Sequence, residues 1–401
     1  MTSRERVMTA LAGSRPDRVP VGPFVGYAAA RLVGATLQQY YTDGVTIARA
    51  QVELRHRTGQ DILLTAADTY YIAEAFGLQT EHHREALPTV KTPLLEKLGA
   101  VDHLTVPDPH RDGRMPVYLQ ALRELRRQTG EKVALRGTGT GPFSLAAYLY
   151  GEQRFLMLLA EIAAGEAEER DVRGLHRLLE ITTATTIAFL RAQLEIGLDI
   201  VYMGDSLASA DMISPDMYRT WAFPRHCTVF EEIEALRRDR GAVTMLHICG
   251  GNAPILKDFE ATGVNLIEID HKIDLGAARK QLRATTSLIG NLDPVNTILE
   301  GTPRTVREAS RGAIEAVRGA EGRFILGTGC FVPLGAPLEN LAAMVEAARA
   351  YQEQGPECSA QAPAADDTTE NTRDEMRGTE TQSVIRNDKH KIGIDREGVR
   401  E

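Results

Sequence analysis

Cysteine is scarce, four in 401 residues. That is too few for a disulfide scaffold, and in a reducing compartment it leaves thiols free to serve as metal ligands. A basic excess is missing too: 46 Lys and Arg against 55 Asp and Glu give a formal net charge of -9. This disfavours nucleic acid and anionic membrane surfaces, which both reward a basic face. No apolar run is long enough to span a bilayer, and Met1-Thr-Ser-Arg-Glu-Arg6 opens a polar helix rather than a signal peptide. These absences predict a cytoplasmic protein that works on a small molecule or with another protein, with no nucleic acid and no membrane. Whether it is a monomer or a homodimer stays open. What the chain does have is core: 43% of it is hydrophobic, enough for one large α/β domain or two smaller ones.

Periodicity favours one domain. Residues 3–12 have helical spacing, residues 13–23 form a Pro/Gly-punctuated entry with a possible short strand at Val19 to Pro23, and residues 44–58 are again helical. Asp61-Ile-Leu-Leu-Thr65 reads as a buried strand, 78–92 as a small hairpin, 115–129 as a helix, and Lys132-Val-Ala-Leu-Arg136 as a strand running into a turn. The alternation then becomes regular. Helices at 166–195, 215–239, 253–261, 275–283, 303–318 and 338–351 separate strands at 199–203, 243–248, 265–269, 287–290 and 323–327. Repeated strand-helix units imply a parallel sheet, and about eight of them fit a (β/α)8 TIM barrel with an N-terminal helical extension. An open doubly wound sheet is the alternative. The barrel domain is expected over 1–354. Residues 355–401 hold few large apolar side chains, so a disordered polar tail is expected there, with Cys358 incidental to function.

Chemistry concentrates in Val243-Thr-Met-Leu-His247-Ile-Cys249-Gly-Gly251 and Phe324-Ile-Leu-Gly-Thr-Gly-Cys330. A strand turns alternate side chains to one face, so His247 and Cys249 point the same way, and Cys330 arrives from another strand end. His, Cys and Cys form a three-ligand set for Zn2+ with the fourth tetrahedral position open, as in catalytic rather than structural zinc. A single buried His or Cys is more often core than ligand; the spacing of the three together is what favours ligation. Two thiolates offset the metal's charge and keep a bound thiol electron-rich, so the donor set points to alkyl transfer onto a thiol rather than to water activation.

The other strand ends carry candidates with open roles. Asp205 and Ser206 either bind substrate or cap the helix beginning near Pro215. Asn291 and Asp293, within Gly290-Asn-Leu-Asp-Pro294, either face substrate or form a plain turn. Glu268, Asp270 and His271 are placed to orient His247, as the second nitrogen of a ligating His usually meets a carboxylate or carbonyl. Glu268 or Asp205 is also a candidate for closing the fourth metal position. Gly137-Thr-Gly139-Thr-Gly141 lacks the third glycine of a dinucleotide fingerprint, with Pro142 in its place, so a tight turn with Gly139 beside a ligand is the better account. His226 and Cys227 are adjacent on a helix, do not face each other, and are assigned to packing.

In order along the chain, His247-Ile-Cys249-Gly250, Gly290-Asn-Leu-Asp-Pro294 and Gly327-Thr-Gly-Cys330 resemble the uroporphyrinogen decarboxylase superfamily, within it the zinc-dependent corrinoid methyltransferase branch that includes methylcobamide:coenzyme M methyltransferases. Arg4-Glu-Arg-Val-Met-Thr-Ala-Leu11, Pro16-Asp-Arg-Val-Pro20, Gly141-Pro-Phe-Ser144 and Ile213-Ser-Pro215 with Tyr218 extend the likeness over residues 3–352. The resemblance implies a (β/α)8 barrel whose zinc, on His247, Cys249 and Cys330, activates a thiol to take a methyl group from a methylcobamide on a separate corrinoid protein. The methylcobamide would be a co-substrate and not tightly bound. Coenzyme M and tetrahydrofolate are both possible acceptors. The decarboxylases proper use an Arg-rich N-terminal loop that Gly22-Pro-Phe-Val-Gly-Tyr-Ala-Ala-Ala-Arg31 does not reproduce, so decarboxylation is the alternative activity.

Overall fold

The structure, a computed structural model, describes residues 1–66 and 68–354; the expected tail at 355–401 lies outside them. Nine strands occur among the described residues: β1 Ile62–Leu64, β2 Gln79–Glu81, β3 Thr89–Thr92, β4 Ala134–Arg136, β5 Ile200–Gly204, β6 Val243–His247, β7 Leu266–Glu268, β8 Ser287–Leu292 and β9 Phe324–Thr328. Seven form one parallel sheet in the order β1-β4-β5-β6-β7-β8-β9, while β2 and β3 make the small antiparallel hairpin. Apart from the hairpin's position within the first crossover, sheet order follows chain order, as expected of successive strand-helix units. Both edges of the sheet bond to the entry segment: Val21 bridges Leu326 of β9 in parallel, and the Asp61 N–H, one residue before β1, donates to the Val21 carbonyl at 2.8 Å.

Sheet strands covered on both faces must be apolar on both. Ile62, Leu64, Ala134, Ile200, Tyr202, Met245, Leu266, Ile289 and Ile325 form one buried cluster with Val7 and Leu11. The alternate residues, including Leu63, Leu135, Val201, Met203, Leu246, Ile267, Leu288 and Leu326, pack in a second cluster with the surrounding helices. The first helix, Ser3–Leu11, sits at the strand N-termini, where buried carboxylates fix it. Asp61 accepts from Arg6 at 2.7 Å, Arg18 at 2.8 Å and the Val21 N–H at 2.9 Å. Asp199, just before β5, accepts from Arg4 at 2.6 Å and from the Leu135 N–H at 2.9 Å. The Arg-rich start and the Pro-Asp-Arg-Val-Pro stretch thus close the end of the sheet opposite the strand C-termini.

Two helices that the sequence did not reveal, Pro142–Tyr150 and Glu152–Ala164, precede the long helix Glu169–Ile196. Every residue of the first from Pro142 to Leu149 is buried. A helix apolar all round has no polar stripe to betray its period.

Candidate metal centre and its pocket

His247 closes β6, and the three residues after it are held by side chains rather than by ladder bonds. Asn252 Nδ2 donates to the carbonyls of Ile248 at 2.8 Å and Cys249 at 3.0 Å, while its Oδ1 accepts from the Ala210 N–H at 2.8 Å. Gly250 has φ +100°, and a Cβ there would fall 2.5 Å from Asp211 Oδ2, so only glycine fits the turn. Its N–H donates to Asp270 Oδ2 at 2.8 Å. On the β9 side, Thr328 Oγ1 donates to the Cys330 carbonyl at 2.8 Å and accepts from the Phe24 N–H at 3.1 Å. Both cysteines therefore leave their strands on loops with fixed backbones.

Those loops bring three donors together. His247 Nε2 lies 3.1 Å from Cys249 Sγ and 3.8 Å from Cys330 Sγ, and the two sulfurs are 3.4 Å apart. Tetrahedral zinc with its usual bond lengths separates such donors by about 3.5–3.8 Å, close to the triangle seen here. The hydrogen bond from Cys330 holds the Cys249 thiol well below the usual thiol range, and the same contact pushes Cys330 up. Burial pulls the His247 imidazole down, but the Cys249 thiolate and Glu268 outweigh it and raise it to about 9. A divalent cation would take the place of those protons among soft donors suited to it. The residues present fit zinc.

Behind the histidine, Glu268 Oε2 lies 3.2 Å from His247 Nδ1. Although within ion-pair distance, the geometry is not that of a hydrogen bond, and Nδ1 has no hydrogen-bonded partner. Glu268 also receives both terminal nitrogens of Arg136, at 3.0 and 3.1 Å, and the two side chains are 0% and 1% exposed. The Arg136 guanidinium is sandwiched 4.0 Å from the ring centroids of Phe24 and Tyr202. Stacking between the two rings fixes the guanidinium in the plane that meets the carboxylate with both terminal nitrogens. On the other side, Ser206 Oγ is 3.3 Å from Cys249 Sγ.

A pocket of about 440 Å³ opens above the donors, walled by Phe24, Tyr27, Tyr70, Tyr148, Tyr202 and Phe331. Of the candidates from sequence, His247, Cys249, Cys330, Ser206 and Gly139 line it. The others sit elsewhere. Asp205 faces away from the pocket and caps a different helix from the one near Pro215: it accepts from the N–H groups of Phe143 at 3.1 Å and Ser144 at 2.7 Å, and pairs with His226 Nε2 at 2.8 Å. Ser214 caps the helix at Pro215. Asp205 is thus not placed to close the metal position, and His226 is a buried hydrogen-bonded partner rather than simple packing. Asn291 donates to the carbonyls of Asp270 and Ile273, at 3.2 and 2.7 Å, and Asp293 caps the turn at Pro294. Both belong to a separate recess beside His271. Asp270 shapes the cysteine loop through Gly250 rather than touching His247. Sequence reasoning missed Arg136, whose partner lies 132 residues on, and the aromatic wall. For Tyr202 a signal existed, its inward alternation on β5.

The uroporphyrinogen decarboxylase (URO-D) family model matches residues 2–351. Among similar proteins, the methylcobamide:CoM methyltransferase MtbA of Methanosarcina acetivorans is 28% identical over 355 residues, 88% of this chain and 98% of that protein. The methylated-thiol--coenzyme M methyltransferase of Methanosarcina mazei is 26% identical, covering 87% of this chain and 89% of its own. A uroporphyrinogen decarboxylase of Thermosynechococcus vestitus is 32% identical over a shorter 250 residues, 62% of this chain and 69% of that protein. A solved methyltransferase from Methanosarcina mazei superposes with a TM-score of 0.76 at 24% identity, over 88% of this chain and 99% of its own, and shares the fold. The match of the family model over nearly all the described residues settles kinship: the chain belongs to the uroporphyrinogen decarboxylase (URO-D) family.

Proposed function

We propose that this protein is a zinc-dependent methyltransferase that moves a methyl group from a methylated corrinoid to a thiol. The observation that carries the reading is the convergence of His247 Nε2, Cys249 Sγ and Cys330 Sγ within 4.8 Å of one another on the wall of an aromatic pocket. The relatives named for methylcobamide and methylated-thiol chemistry match along most of the chain, which supports it. The sheet would be a (β/α)8 barrel whose first strand is the Pro20 to Gly22 segment, hydrogen-bonded to both sheet edges; its active site then lies at the strand C-termini, where the three donors are.

Zinc on these donors would supply a Lewis acid at which the acceptor thiol ionises at neutral pH. The residues do the rest. Cys249 and Cys330 provide the two negative charges that keep an acceptor sulfur electron-rich. Glu268, held by Arg136, keeps its carboxylate 3.2 Å behind His247 Nδ1 as an ion partner. Ser206 donates toward Cys249 Sγ, and the aromatic wall excludes water that would compete for the methyl group. In the transfer the acceptor thiol gives its proton to solvent, its sulfur lone pair forms the S–C bond, and the Co–C pair stays with the corrinoid substrate's cobalt, which goes from Co(III) to Co(I). The corrinoid would be delivered on a separate protein docking over the pocket mouth.

Decarboxylation finds less support. Arg31, the one arginine of the Gly22 to Arg31 segment, does not line the pocket and gives a terminal nitrogen to the Ala336 carbonyl. The test is incubation of zinc-loaded protein with methylcobalamin and a thiol panel, followed by absorbance of the demethylated cobalamin and by thioether yield. Stoichiometric thioether is expected; release of carbon dioxide from carboxylated tetrapyrroles with no demethylation would replace this reading with the other.

A further inference from the structure

We infer that the methyl acceptor is a thiol that bears no anionic group; the inference rests on the methyltransferase reading and narrows it. Among the described residues no lysine or arginine lines the pocket, and its one histidine is His247. Two arginines packed beside its walls direct their terminal nitrogens to carboxylates and not into the pocket. Arg114 gives Nη1 to Asp68 Oδ2 at 2.6 Å and to the Tyr41 carbonyl, Nη2 to Asp68 Oδ1 at 2.9 Å and to Glu74, and Nε to Glu74 at 2.5 Å. Arg136 is spent on Glu268 and walled off by the rings of Phe24 and Tyr202.

The weaker sources of positive potential are used up as well. The helix Pro142–Tyr150 starts beside the pocket, and its first free N–H groups would suit an anion, but Asp205 already occupies them. The pocket's own carboxylate, Asp68, is 2% exposed at its side chain and accepts four hydrogen bonds, from Arg114 twice, Tyr118 and the Tyr70 N–H. It therefore offers neither a cation site nor a reason to bring one in. What remains facing the ligand is aromatic surface and the hydroxyl groups of Thr69, Thr138, Thr140 and Ser206.

A sulfonate or carboxylate on the acceptor would lie in this pocket with no lysine or arginine among its lining residues to meet it, and burying an unpaired anion is costly. A neutral body, held by ring faces and hydroxyl hydrogen bonds, carries no such penalty.

The experiment compares 2-mercaptoethanesulfonate with its uncharged isostere 2-(methylsulfonyl)ethanethiol, titrated calorimetrically into zinc-loaded protein. The uncharged thiol is expected to bind more tightly by at least about 100-fold, the low end of the cost of an uncompensated buried charge. Thr69→Lys, at the exposed rim of the pocket, is expected to close much of that gap by raising the affinity for the sulfonate. Equal or tighter binding of the sulfonate to the wild-type protein overturns the inference and leaves the methyltransferase reading standing. Absence of binding by both thiols to zinc-loaded protein overturns both.

Discussion

Arg136 shows how much of a site can depend on a residue that touches neither ligand nor metal donor. It is 1% exposed at its side chain, between two rings, with Glu268 as its ion partner and His247 beyond. Removing one member of a buried ion pair strands the other, at a cost of about 3–5 kcal/mol. Arg136→Ala should lower stability by that amount in chemical denaturation, and Arg136→Met combined with Glu268→Gln should recover most of it, since the pair is then replaced rather than broken. Equal loss in both variants would mean that the packing of Arg136 between the rings, not its charge, matters. At this scale the sequence was legible where spacing was local. His247 and Cys249 are two apart on a strand, and their shared face follows from backbone geometry. Arg136 ends a short apolar strand with nothing nearby to mark it, and its significance arises only when the sheet places β4 and β7 across from each other.

Among the elements, the helix Pro142–Tyr150 is the least legible and one of the most dependent on a distant side chain. Proline at its first position and glycine before it mark a helix start, yet Gly141 has no side chain to cap the exposed N–H groups. Asp205 supplies the cap from the end of β5, through contacts to Phe143 and Ser144. Asp205→Ala should cost about 2 kcal/mol, the upper range for a lost cap, because it also leaves Nε2 of buried His226 without its partner, Nδ1 keeping only the Tyr218 hydroxyl. The check is a urea midpoint, and the zinc stoichiometry should stay unchanged, since the Asp205 side chain points away from the metal donors. The sheet strands could be read from sequence because their buried apolar runs lie between turn-forming residues. The helices Glu169–Ile196 and Pro303–Ala316 were visible in their amphipathic period, although the first was expected from residue 166 and the second to residue 318. The assignments that sequence left open, Asp205, Asn291 and Asp293, are short polar residues at or just after strand ends. Such residues cap helices and turns as readily as they bind ligands, and only tertiary contacts decide.

Over the whole molecule, function is separated from stability along the axis of the strands. At their N-terminal ends, Arg4, Arg6 and Arg18 bind the buried carboxylates of Asp61 and Asp199 and hold the first helix across the sheet. At their C-terminal ends, glycine turns and the Asn252 clasp carry the two cysteines and the histidine to a point beneath an aromatic pocket. This division makes a metal that serves reaction rather than folding the expected occupant, because the core clusters lie in the sheet and helices and do not need the donors to close. The most direct test is the zinc content of purified protein, measured for the wild type, Cys249→Ala and Cys330→Ala, with circular dichroism on the same samples. The account predicts about one zinc per chain in the wild type, loss of it in both variants, and unchanged secondary structure throughout. Zinc retained in both variants, or a wild-type protein that takes up none when it is supplied, would contradict it.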